Sequence, residues 1–133
     1  MSDTTKLRPT VTDQMAEIDA WLDGAAAETY WNQPLAQDWA RVSKVIEELG
    51  EAVAALISYT GQNPRKPQRP EARAEMIGEL ADVAATALLA IQHFEKDADE
   101  TVRVLLGRLG RIHERIPQEW RSQSKGTSDK CVR

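Results

Sequence analysis

Cysteine is almost missing from these 133 residues: the one copy, Cys131, stands in a polar tail, so no intrachain disulfide can form and a reducing cytoplasm is the expected setting. Histidine occurs twice, at His93 and His113, and neither has a second histidine at zinc spacing. No stretch is apolar for long enough to span a bilayer, and Met1 to Thr12 lacks the apolar run of a signal peptide. There is no Gly-rich phosphate loop, no GxSxG elbow and no Cys-His pairing. A basic surplus is absent too. The formal charge of −4 and pI near 5.2 argue against a general nucleic-acid binder, although a local basic patch is compatible with them. Aromatic residues are few, 5% of the chain, so cohesion must come mainly from the aliphatic part of a 41% apolar composition. That is enough for one compact helical domain.

What is present has helical spacing. Residues 1–10 read as a flexible lead. Val11, Met15, Ile18 and Leu22 recur at helical intervals, and Gly24 is expected to end that helix. Pro34 suits the first turn of the next helix, where Leu35, Trp39, Val42, Ile46, Leu49, Val53 and Leu56 trace an apolar stripe. On that stripe Trp39 is read as core, while Trp21 fits core or interface. Gly61 is the expected stop. Pro64, Pro67 and Pro70 admit no helix through them. Pro70 can start the third helix, with Met76, Ile77, Leu80, Ala84, Leu88 and Ile91 on its apolar side. Asp97-Ala98-Asp99-Glu100 has capping-box spacing with Asp in place of Ser or Thr. Val102, Leu105, Leu109, Ile112 and Ile116 trace the last helix, which Pro117 closes. Residues 118–133 form a polar tail in which Trp120 could dock locally. The pattern predicts an all-α domain of four helices over residues 11–117.

Two short segments carry the chemistry. Glu48-Leu49-Gly50-Glu51 and Glu79-Leu80-Ala81-Asp82 each pair two carboxylates three residues apart, on one face of a helix. Both place a small residue between the acids, which allows close helix approach. If the helices face each other, four carboxylates crowd one small volume, and like charges at that spacing call for a cation. Oxygen-only donors favour Mg²⁺, Mn²⁺ or Ca²⁺ over zinc. Glu48, Glu51, Glu79 and Asp82 are therefore the candidate metal ligands. Lys44, one turn before Glu48, is a candidate phosphate contact, with an i,i+4 ion pair as the plainer alternative. Arg41 lies nearly two turns before Glu48, on either reading. Tyr30 and Trp31 precede the motif helix, and an aromatic face there could stack on a nucleobase. Arg65 and Lys66 make the proline loop basic, but its root at Gly61 is ~15 Å along the helix axis from Glu51. They serve either a soluble connector or a loop closing over a neighbouring subunit's site. Arg108, Arg111 and Arg115 line one side of the last helix and read as a solvated face.

The run Glu47-Glu48-x-x-Glu51, then Glu79-x-x-Asp82, resembles the signature of the all-α nucleoside triphosphate pyrophosphohydrolases, the MazG-like group. The similarity covers about Arg41 to Phe94. Ser43 to Glu51 is close to the family's first block, and Gly61 to Lys66 is similar to a loop of one MazG-like branch. The resemblance implies a four-helix MazG-like domain that completes its bundle as a homodimer or homotetramer. It also implies a Mg²⁺-dependent attack, with Mn²⁺ as possible substitute, at the α–β linkage of a nucleoside triphosphate, yielding nucleoside monophosphate and pyrophosphate. Glu47 takes a supporting role in that scheme, orienting or deprotonating water; a solvated helical Glu is the alternative. The competing class is a non-catalytic helical module that binds nucleotide, or binds a protein through its Pro-x-x-Pro loop.

Overall fold

The computed structural model describes residues 9–29 and 33–121. Its main elements are α1 (Val11–Thr29), α2 (Pro34–Thr60), α3 (Ala72–Glu95) and α4 (Ala98–Glu114), with no strand among the described residues. The molecule is all-α. The chain divides into two units, residues 1–101 and 102–133, so the boundary falls inside α4. None of its helices is long and apolar enough to cross a membrane among the described residues.

Several helix ends follow from local chemistry. Pro34 occupies the first turn of α2, where its missing N–H costs nothing. Gly61 ends α2 with φ 69° and donates its N–H to the Ile57 carbonyl, a left-handed cap that a Cβ would strain. Asp97 Oδ1 accepts the Glu100 N–H at 2.8 Å, which caps α4. Gly24 does not behave as expected. α1 runs five residues past it, because Ala25, Ala26 and Ala27 favour helix strongly enough to carry one glycine.

In the first unit α2 and α3 share the main interface and α1 packs more lightly on α3. Asp38, early in α2, meets His93, late in α3, while Glu51 meets Glu79, so the two helices run antiparallel. The interior is built from small residues: Ala52, Ala55, Ala72 and Ala90 are buried, with Met15 from α1. This corrects the expectation for α2. Its large apolar residues, Leu35 through Leu56 on the stripe, stand exposed, and Trp39 is 70% open rather than core. α3 covers the adjacent face of α2 instead, where Arg41, Glu48, Ala52 and Ala55 are buried. Alanines let the helices approach closely, and bulky residues at that contact would hold them apart. On α3, Ile77 and Leu80 are open as well. Trp21 is 70% exposed, so it is not core in the single chain. In the second unit Ile116 donates its N–H to the His113 carbonyl ahead of Pro117, and Trp120 is exposed.

The loop from Gly61 to Glu71 folds back on the end of α2. Arg69 N–H reaches the Ser58 carbonyl at 2.9 Å and Gln68 Nε2 the Tyr59 carbonyl at 2.9 Å. Arg69 pairs with Glu71 and Glu75, so Glu75 anchors the loop.

Candidate metal centre

Glu48 and Glu51 project from α2 towards α3, one turn apart, and Glu79 answers from α3. One carboxylate oxygen from each lies within 4.8 Å of the other two. The alanine contact beside them, Ala52 and Ala55, brings the helices near enough for this. Glu48 is buried, Glu79 half-buried and Glu51 exposed. Asp82 lies outside the group of three but acts on it electrostatically. The Glu79 carboxyl is pushed above its ordinary range by partial burial first, then by Glu51, Asp82 and Glu48. The cluster thus favours uptake of positive charge.

The donor set fits a hard divalent cation. It offers only oxygen, from three carboxylates with Asp82 adjacent, on two helices and open to solvent on the Glu51 side. Glu48, Glu51 and Glu79 would hold such an ion, which would supply positive charge among the carboxylates.

Lys44 is the nearest compensating charge. Its Nζ lies 2.8 Å from Glu48 Oε1 and 3.0 Å from Glu47 Oε1. Those hydrogen bonds, Glu48's first, hold the ammonium above the ordinary lysine range. Lys44 also lines a cavity of about 320 Å³ between α1, α2 and α3. The walls are mostly apolar, with Leu22, Ala26, Ala40 and Leu89 among them, and the Thr86 and Thr29 side chains add hydroxyls. One side chain therefore borders both the carboxylates and an apolar recess.

Arg41 is placed differently. Its Nη2 donates to Asp23 Oδ1 at 2.8 Å and to the Asp19 carbonyl at 3.3 Å, and lies 3.3 Å from Asp19 Oδ1. The guanidinium is thus engaged by α1. Arg65 and Lys66 sit on the exposed loop, and Lys66 borders a small recess of about 220 Å³ with Asn63 and Ile57. Tyr30 and Trp31 lie outside the described residues.

A second polar cluster went unread in the sequence. Asp19, Asp23 and His93 bring ligand-type atoms within 4.8 Å of one another. Here the charges are already matched. Lys96 Nζ reaches Asp23 Oδ2 at 3.0 Å, Arg41 serves both aspartates, and His93 Nε2 meets Asp38 Oδ1 at 2.7 Å. A metal ion would sit against two cations, so this is an ion-pair hub that ties α1 to α2 and α3. Burial alone would push the Asp23 carboxyl up, but hydrogen bonds from Lys96 and Arg41 outweigh it and hold it low. The available signal was Asp19 itself, an acid between Met15 and Leu22 on the apolar side of α1.

Comparison of the chain with protein families, with curated proteins and with solved structures gives no match.

Proposed function

We propose that the protein is a Mg²⁺-dependent nucleoside triphosphate pyrophosphohydrolase that cleaves between the α and β phosphates. The observation that carries this reading is Lys44, which borders the three-carboxylate group and the apolar cavity at once. That arrangement suits a molecule with an apolar head and a polyanionic tail. The motif resemblance over Glu47 to Asp82 points the same way.

The residues divide the work by chemistry. Glu48, Glu51 and Glu79 would hold Mg²⁺, with Asp82 completing the set. When bound, Mg²⁺ supplies charge neutralisation on phosphate oxygens and activation of water. Lys44 can exchange its carboxylate partners for phosphate oxygens and balance charge on the departing pyrophosphate. Glu47 has its Oε1 on Lys44 and is 59% exposed at the side chain, so it stands beside the proposed phosphate path, where it would orient the attacking water. The cavity would take the nucleoside by burial rather than by many hydrogen bonds. Arg41 shapes the cavity wall through its hold on α1. The reading places the protein in the cytoplasm as a homodimer or homotetramer.

A panel of canonical and modified nucleoside triphosphates with Mg²⁺, read by pyrophosphate release, tests the proposal. At least one should yield monophosphate and pyrophosphate. Release of inorganic phosphate alone would place the cleaved bond elsewhere. No turnover of any member, with Mg²⁺ bound, would favour a non-catalytic nucleotide- or protein-binding module.

A further inference from the structure

The formal charge of −4 is divided unevenly along the chain. Residues 102–133 hold eight Lys or Arg against three Asp or Glu, while residues 1–101 hold nine against eighteen. The second unit therefore carries a surplus of five positive charges on an acidic protein. In α4 that surplus lies beside an apolar stripe. Successive helical residues turn by ~100°, so Leu105, Leu106, Leu109 and Ile112 share an arc of ~120°. All four are exposed, Leu106 and Ile112 by 59% each. Arg108 comes next round the helix from Ile112, then Arg111, and Arg115 stands in the turn after the last helical residue; all three are exposed. Ile116 and Trp120 follow, exposed as well. Glu114 projects from the opposite side of α4.

We infer that α4 lies flat on an anionic membrane surface. A helix apolar on one side and Arg-rich on the rest, too short and too charged to span, has the pattern of an interfacial helix. Charge and apolarity together select the occupant. Duplex nucleic acid would satisfy the arginines but leave the leucines and Ile112 in water, since its phosphate contacts bury no apolar stripe. A second copy would offer leucines but would set one basic unit against another. An anionic bilayer takes both features at once. Lipid phosphates accept hydrogen bonds from the guanidinium groups, and the apolar side chains enter the boundary between headgroups and acyl chains. Trp120 suits the headgroup level, where an indole keeps its N–H wet. The inference goes beyond the hydrolase reading and uses none of its residues, so it holds whether or not the chain hydrolyses nucleotides.

The full chain should co-sediment with vesicles of equal parts phosphatidylglycerol and phosphatidylcholine, and stay in the supernatant with phosphatidylcholine alone. Arg108→Gln combined with Arg115→Gln should weaken vesicle binding about thirtyfold, while circular dichroism keeps the wild-type helix content. Arg65→Gln combined with Arg73→Gln, the same loss of charge outside α4, should weaken it far less. A label reports which side of the helix enters the lipid, and it stands even if the arginine variant misfolds. In a Cys131→Ser background, a polarity-sensitive fluorophore on Leu106→Cys should shift to the blue when anionic vesicles are added, and one on Glu114→Cys should not. No sedimentation with anionic vesicles, equal binding to phosphatidylcholine alone, or wild-type binding by the folded Arg108 and Arg115 variant would each overturn the inference. So would an equal loss from the Arg65 and Arg73 pair, or an equal shift at the two labels. Capture of duplex DNA with no response to vesicles would overturn it in favour of nucleic acid.

Discussion

Lys44 sits between two roles that a substitution can separate. As a surface ion pair with Glu47 and Glu48 it would contribute little to stability. As a phosphate contact it would carry much of the rate. Lys44→Ala should therefore lower kcat/KM by about a hundredfold, with Mg²⁺ affinity changed far less. Steady-state kinetics and metal titration on one preparation decide this, and an unchanged kcat/KM returns Lys44 to the ion-pair role. Glu51 gives the complementary test. Without metal its charge repels Glu48 and Glu79, so Glu51→Gln should melt a few degrees higher than wild type. Wild type should gain ~2.7 kcal/mol at a hundredfold excess of Mg²⁺ over Kd if only the folded state binds it. The variant should gain much less and lose nearly all hydrolysis. Melts with and without Mg²⁺ check both parts; a variant with the wild-type metal response would show that Glu51 is no ligand.

At the scale of the helix, α1 is held more by charge than by apolar contact. It buries Met15 and Asp19, and its links to the other helices run through Arg41, His93 and Lys96. Arg41 is nine-tenths buried, and removing one partner of such a pair typically costs roughly 3 kcal/mol or more. Arg41→Met should destabilise the fold on that scale, and adding Asp19→Asn should recover part of the loss; urea melts of the single and double variants measure the coupling. Acid should loosen the same hub. The Asp23 carboxyl is held below its ordinary range, so its contribution is present above the unfolded value of about 3.9 and is lost as pH falls through the lower folded value. Asp23→Asn should then flatten the acid limb of the stability–pH curve below about pH 4, relative to wild type. An identical acid limb in variant and wild type would mean that Asp23 does not feel Lys96 and Arg41 in solution.

For the molecule as a whole, the helices and the carboxylate pairs were legible in the sequence because both depend on near neighbours. Glu48 and Glu51 share a face by helical geometry alone, as do Glu79 and Asp82. Pro34, Gly61 and Asp97 mark helix ends through their own backbones and side chains. Even Gly24 misled only about length, since three alanines outweighed it. The sequence by itself therefore determined an all-α chain and the acidic faces of α2 and α3. Which face of α2 would be covered was a different question. Its bulky stripe and its alanine and acid stripe have the same period, and periodicity carries no information about the neighbour. The tertiary structure alone decided that α3 packs on Ala52 and Ala55, that Lys44 stands between carboxylates and cavity, and that Arg41 turns to Asp19 and Asp23. The reason is physical. Small side chains let α2 and α3 approach closely enough to join Glu79 to Glu48 and Glu51, and that approach leaves the large apolar residues of α2 outside.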